Sequence, residues 1–148
     1  MNFIKTVFAY LLAVLTTTAL GSVAATQFVL ADLRMMGVAV PLGVRLETTA
    51  HDIIGMSPTF APIVATALLV AFLVAALLTR FTPLPERGWY LVGGFVAMIA
   101  ALALVKSVLG GAPIAGAKDT FGLITQGIAG LIGGWTFARM CPEKESQP

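Results

Sequence analysis

Four apolar stretches, each about as long as a bilayer core is thick, decide most of what this chain can become. They run from Phe3 to Ala25, Pro58 to Thr79, Trp89 to Leu109 and Thr120 to Ala138. Crossing ~30 Å of hydrocarbon takes ~20 apolar residues, and none of the four stretches carries more than one charged side chain. The composition agrees: 58% apolar and 11% charged, with a mean hydropathy of +0.94, where soluble proteins carry ~25% charged residues. The predicted fold class is an all-α membrane protein, a four-transmembrane-helix bundle. Residues 1–140 form its single domain, and residues 141–148 are a polar tail that should fray.

Lys5, the apolar core and the small-residue ending Ser22-Val23-Ala24 also fit a cleaved signal peptide. The apolar core outruns an ordinary signal core, so a retained first span is expected. Within it, Ala9, Ala13, Thr17, Gly21 and Ala25 recur every four residues. That spacing lines one helical face with small side chains and lets a neighbouring backbone come close. Ala67, Ala71 and Ala75 repeat the pattern in the second span, and Gly93, Ala97 and Ala101 in the third. The fourth span is glycine-rich. Gly122, Gly127, Gly130 and Gly134 are its expected packing residues, with Gly130 and Gly134 forming a GxxxG pair. A lone bundle needs fewer such tracks, so self-association or docking on another membrane protein is expected, beside the membrane lipids themselves.

Residues 26–57 form the one long segment between spans. Val38, Val40, Leu42, Val44 and Leu46 alternate with other residues, a period of two that signals a strand. Pro41 and Gly43 suit a type I turn. The expectation is a short extracytoplasmic β-hairpin-like flap between helices 1 and 2, with arms near 28–40 and 44–49, apolar face on the membrane. Its charges are Asp32, Arg34, Arg45, Glu47 and Asp52, beside the only histidine, His51. Asp32 with Arg34, and Arg45 with Glu47, would share a strand face and pair across the hairpin. Ser57 before Pro58 reads as the N-cap of the second span.

Four spans place both termini on one side. Lys5, Arg80, Arg87, Arg139 and Lys144 share that side, against Arg34, Arg45, Lys106 and Lys118 opposite. The positive-inside rule then puts the termini in the cytoplasm and the flap outside, in a membrane of the bacterial inner (plasma) type.

Chemistry has few candidates. Lys106 falls near the outer end of the third span, where a lysine snorkels to the interface or meets a headgroup. Gln126 shares a face with Gly122, Gly130 and Gly134, so its amide should enter a helix contact. With Lys118 and the predicted N-cap Asp119, these residues make a candidate polar pocket under the flap. His51 lacks a second imidazole at ligand spacing, so no metal is expected. A single histidine and a single cysteine, Cys141, leave no bis-histidine haem, no CxxC relay and no activated serine among Ser22, Ser57 and Ser107. No enzyme activity and no cofactor are expected. The net charge of +2 is not clustered, which argues against nucleic acid. The functional expectation is a non-catalytic structural, accessory or assembly component. The alternative is an oligomeric channel or small-solute carrier with an outer vestibule near Lys106 and Gln126.

Overall fold

The computed structural model describes residues 3–82, 85–110 and 120–141. Four helices follow one another: α1 (Phe3–Met35), α2 (Leu42–Leu78), α3 (Glu86–Leu109) and α4 (Thr120–Met140). All four are long and apolar enough to cross a membrane. Each packs on its neighbours in sequence, and α4 closes the ring on α1, giving an up-and-down bundle. The α1–α2 turn marks the hairpin end of the bundle. The start of α1 and the end of α4 mark the terminal end.

The expected β-hairpin flap is not there, because no strand occurs among the described residues. Residues 26–35 continue α1, and α2 begins at Leu42, leaving only residues 36–41 as a link. The alternation from Val38 to Leu46 covers that link and the first turn of α2. A two-stranded hairpin standing alone in water is marginal. A helix already nucleated inside a span extends at little further cost, so continuation wins. Asp32 with Arg34 and Arg45 with Glu47 therefore lie on helices, where residues two apart point to different sides.

Gly37 makes the sharp turn possible. Its φ is +84°, its N–H donates to the Arg34 carbonyl at 3.0 Å, and the next N–H, of Val38, donates to the Leu33 carbonyl at 3.1 Å. This is the Schellman pattern, which needs a left-handed residue after the helix. Gly110 ends α3 in the same conformation, with φ +65°. Pro58 and Pro62 lie inside α2 rather than at its start, and each removes one ladder donor. Ser57 does not cap a helix; its hydroxyl meets the Ile53 carbonyl one turn back.

Packing follows the small side chains. On α1 the buried residues form two neighbouring rows of four-residue spacing: Ala9, Ala13, Thr17, Gly21 and Ala25, and beside them Val14, Thr18, Ser22, Thr26 and Leu30. The first row meets α4. A Cβ built on Gly133 would fall on the Thr17 hydroxyl and lie 3.2 Å from the Ala13 carbonyl oxygen. Gly130 and Gly134 meet α3 instead. A Cβ on either Gly94 or Gly130 would fall far inside contact distance of the other's carbonyl oxygen, and one on Gly134 would strike the Tyr90 carbonyl. Helices this close gain dispersion contacts along their backbones, the main attraction available where lipid is as apolar as the side chains.

Helix α2 is held differently, through the large buried side chains Phe60, Val64, Leu68 and Phe72. Phe72 stacks on Phe137 of α4 with ring centroids 4.4 Å apart, and Tyr90 of α3 sets its edge against both rings. Tyr10 adds a bond from its hydroxyl to the Ala65 carbonyl at 2.7 Å, tying α1 to α2.

Candidate functional site

The buried hydroxyl and amide side chains, Thr17, Thr18, Ser22, Thr26 and Gln126, lie on α1 and α4. Gln126 is fully buried. Its Nε2 donates to the Gly21 carbonyl at 2.9 Å across the α1–α4 contact. Glycine at position 21 leaves the room for this: a Cβ there would lie 2.8 Å from Gln126 Oε1 and 2.8 Å from the Phe60 ring. The amide is thereby fixed, and its oxygen Oε1 is left buried with no donor.

Three hydroxyls of α1 share that condition: Thr17 Oγ1, Thr18 Oγ1 and Ser22 Oγ are buried and without a partner. Several helical hydroxyls elsewhere among the described residues donate one turn back. Thr16 does so to Leu12, Thr125 to Phe121 and Thr136 to Ile132, at 2.8, 2.9 and 2.9 Å. Leaving a buried polar group unanswered costs about 1–3 kcal/mol, so four of them on the packed helices α1 and α4 call for an explanation. One turn further along the same row as Thr18 and Ser22, Thr26 Oγ1 stands 2.9 Å from the Ser22 carbonyl and 2.8 Å from Asp52 Oδ2. A hydroxyl has one proton, so two acceptors share it.

Beyond Asp52 the hairpin carries its own polar stitching. Arg45 donates to Gln27 Oε1, Gln27 Nε2 donates to Thr49 Oγ1 at 3.3 Å, and Thr49 donates to the Arg45 carbonyl at 2.7 Å. Arg45, Thr49 and Asp52 fall at i, i+4 and i+7 on α2, so one helical stripe faces α1. Arg34 donates to the Val40 carbonyl at 3.3 Å, closing the link.

The residues singled out from sequence are scattered across this arrangement. Gln126 is enclosed against α1, whereas Lys106 is exposed on α3, so the two do not line one opening. Lys118 and Asp119 lie outside the described residues. Of the hairpin charges, Asp52 and Arg45 are half-buried and bonded to α1, Asp32 is half-buried on α1, and Arg34, Glu47 and His51 are exposed. Gly122, Gly127, Gly130 and Gly134 are all buried, and a Cβ on Gly127 would lie 2.7 Å from the Phe95 ring. Among the described residues no three of His, Cys, Asp and Glu come together. The sequence reading missed the hydroxyls of Thr18, Ser22 and Thr26. Their four-residue spacing was visible, directly beside the small-residue row.

Two further features complete the surface. An open apolar groove of about 850 Å³ runs between α2 and α3. Its floor is built from Ala67, Ala71, Ala75, Gly93, Ala97 and Ala101, the small tracks of those two helices. Trp89 lines its terminal end, with its indole N–H buried and unpartnered. Just past α4, Cys141 is buried, and burial, then the nearby Glu86 carboxylate, pushes its thiol pKa up. A thiol in that setting is a poor nucleophile. No protein-family profile, curated protein or solved structure matches the chain.

Proposed function

We propose that the protein is a non-catalytic integral membrane component that organises other membrane proteins. In this reading the hairpin lies on the outer face of a bacterial-type inner membrane and both termini lie in the cytoplasm. The observation that carries it is the overhang of the first two helices. Past the length that a span needs, residues 26–35 and 42–57 add about 15 and 24 Å of helix. The hairpin's outer turns expose Met35, Met36, Leu42 and Leu46 at 80, 75, 73 and 66%. Apolar side chains clustered beyond a charged band mark a contact surface.

The packing supports a scaffold as well. The closest small-residue faces of α1, α3 and α4 are spent on one another, which favours a stiff body. The α2–α3 groove keeps an apolar face open within the membrane. Contact with a partner would use that face, the hairpin tip, or both.

Photo-cross-linking in intact membranes tests this directly. A photoreactive residue at Leu46 or at Val96 on the groove wall should give a discrete protein adduct, either with a second copy or with a partner. Lipid adducts and uncross-linked monomer alone at both positions would overturn the reading. A small-solute carrier is the second reading, favoured by the donor-less oxygen of Gln126. Solute flux into liposomes that is unchanged by Gln126→Leu would remove it.

A further inference from the structure

We propose that the hydroxyl row between α1, α2 and α4 holds buried water, making a blind hydrated inlet that opens beside Asp52 and ends at Thr18 and Gln126. The inference starts from what the orphaned atoms can and cannot do. Gln126 and Ser22 are 0% exposed and Thr18 is 3% exposed. Gln126 Oε1, an amide oxygen, can only accept, and the bond from Nε2 to the Gly21 carbonyl fixes the direction in which it points. Ser22 and Thr18 each bring a proton to donate and find no acceptor. Ser22 directly follows Gly21, the residue that Gln126 meets, and Thr18 lies one turn before Ser22 on the same buried row.

The molecule that answers all three must be small and must both donate and accept. Water does this, and buried waters characteristically bridge two to four otherwise unsatisfied groups. A metal cation would take the oxygen lone pairs but leave the hydroxyl protons unanswered. The alternative of leaving the seam dry costs about 1–3 kcal/mol for every orphan.

The seam has a mouth and a floor. At the mouth, Thr26 has one proton for two acceptors, the Ser22 carbonyl and Asp52, so an entering water finds an acceptor to bind. Asp52 sits on the helical overhang, above the apolar part of α2. At the floor, Thr17 is closed off against Gly133, and Val14, Ala13 and Ala9 continue the two rows with buried apolar side chains. From Thr26 to Thr18 is eight residues of helix, a depth of about 12 Å in ~30 Å of hydrocarbon.

Water-to-protein magnetisation transfer by NMR on the isotope-labelled, unmodified chain in nanodiscs tests the inlet. Water contact is expected at the Gln126 side-chain amide and at Ser22, and none at Ala9 or Ala13. A second measurement uses Ser22→Cys and Ala13→Cys, each in a Cys141→Ser background, with a small water-soluble thiosulfonate. The thiol at position 22 should react at least about tenfold faster than that at position 13, since only hydrated thiols ionise readily. A dry Gln126 in the unmodified chain, or equal reactivity at the two positions, overturns the proposal.

Discussion

Replacing Gly133 by alanine separates side-chain crowding from backbone crowding in this bundle. The added methyl would fall on the Thr17 hydroxyl, with the Ala13 carbonyl oxygen at 3.2 Å and Thr17 Cβ at 3.3 Å. Overpacking of this kind costs about 1–3 kcal/mol. The atom in the way is the end of a side chain, so Thr17→Ala removes it and leaves contacts that need shift by only a few tenths of an ångström. Thr17→Ala alone should change little, because relief of an unpartnered buried hydroxyl is offset by the packing lost with its buried methyl. The double variant should therefore recover most of the loss, a coupling of about 0.5–3 kcal/mol between touching residues. Gly130→Ala makes the contrast. Its methyl strikes the Gly94 carbonyl, which no side-chain change removes, so Thr17→Ala should not rescue it. Equilibrium unfolding in mixed detergent micelles, read by circular dichroism, measures the five variants against the unmodified chain. A neutral Gly133→Ala, or equal rescue of both glycine variants by Thr17→Ala, would refute the packing described for α1, α3 and α4.

Three further outcomes are expected. Tyr10→Phe deletes the bond to the Ala65 carbonyl and should cost about 0.5–1 kcal/mol in the same unfolding assay, the usual worth of such a bond between membrane helices. Gly37→Ala meets no neighbouring atom, yet places a side chain at φ +84°, so it should destabilise the α1–α2 turn by about 1–2 kcal/mol through backbone strain alone. Cys141 should alkylate slowly in the folded protein. Because its pKa is raised, the rate should keep climbing with pH after a free cysteine has levelled off, and unfolding in detergent should abolish the difference.

The hydrophobic runs made the four helices legible, since span length and apolarity are properties of the chain alone. Gly110 was visible as a stop, and the glycine face of the fourth span as a place of close approach. The rest depended on tertiary context. Val38 to Leu46 carries a real period of two, but too short a one to outweigh continuation of helices already fixed in the bundle. The competing signal, Arg45, Thr49 and Asp52 on one helical stripe, was hidden among charges read as strand partners. Lys106 and Gln126 stand on consecutive helices, and spacing alone does not say how far each helix turns about its axis. The Gln126 amide turned to α1 and Lys106 turned outward. The hydroxyl row was illegible for a different reason: Thr16 and Thr18 look alike in sequence, yet Thr16 bonds one turn back and Thr18 is buried without a partner.

The most direct test of the architecture is a spin-label accessibility scan along positions 38–57 in nanodiscs. A period near 3.6 is expected from position 42 onward, with positions 45, 49 and 52 protected as one stripe against α1. A period of two through Val38 to Leu46, with alternate residues buried, would mean a strand pair and would contradict the projecting helical hairpin on which the scaffold reading rests.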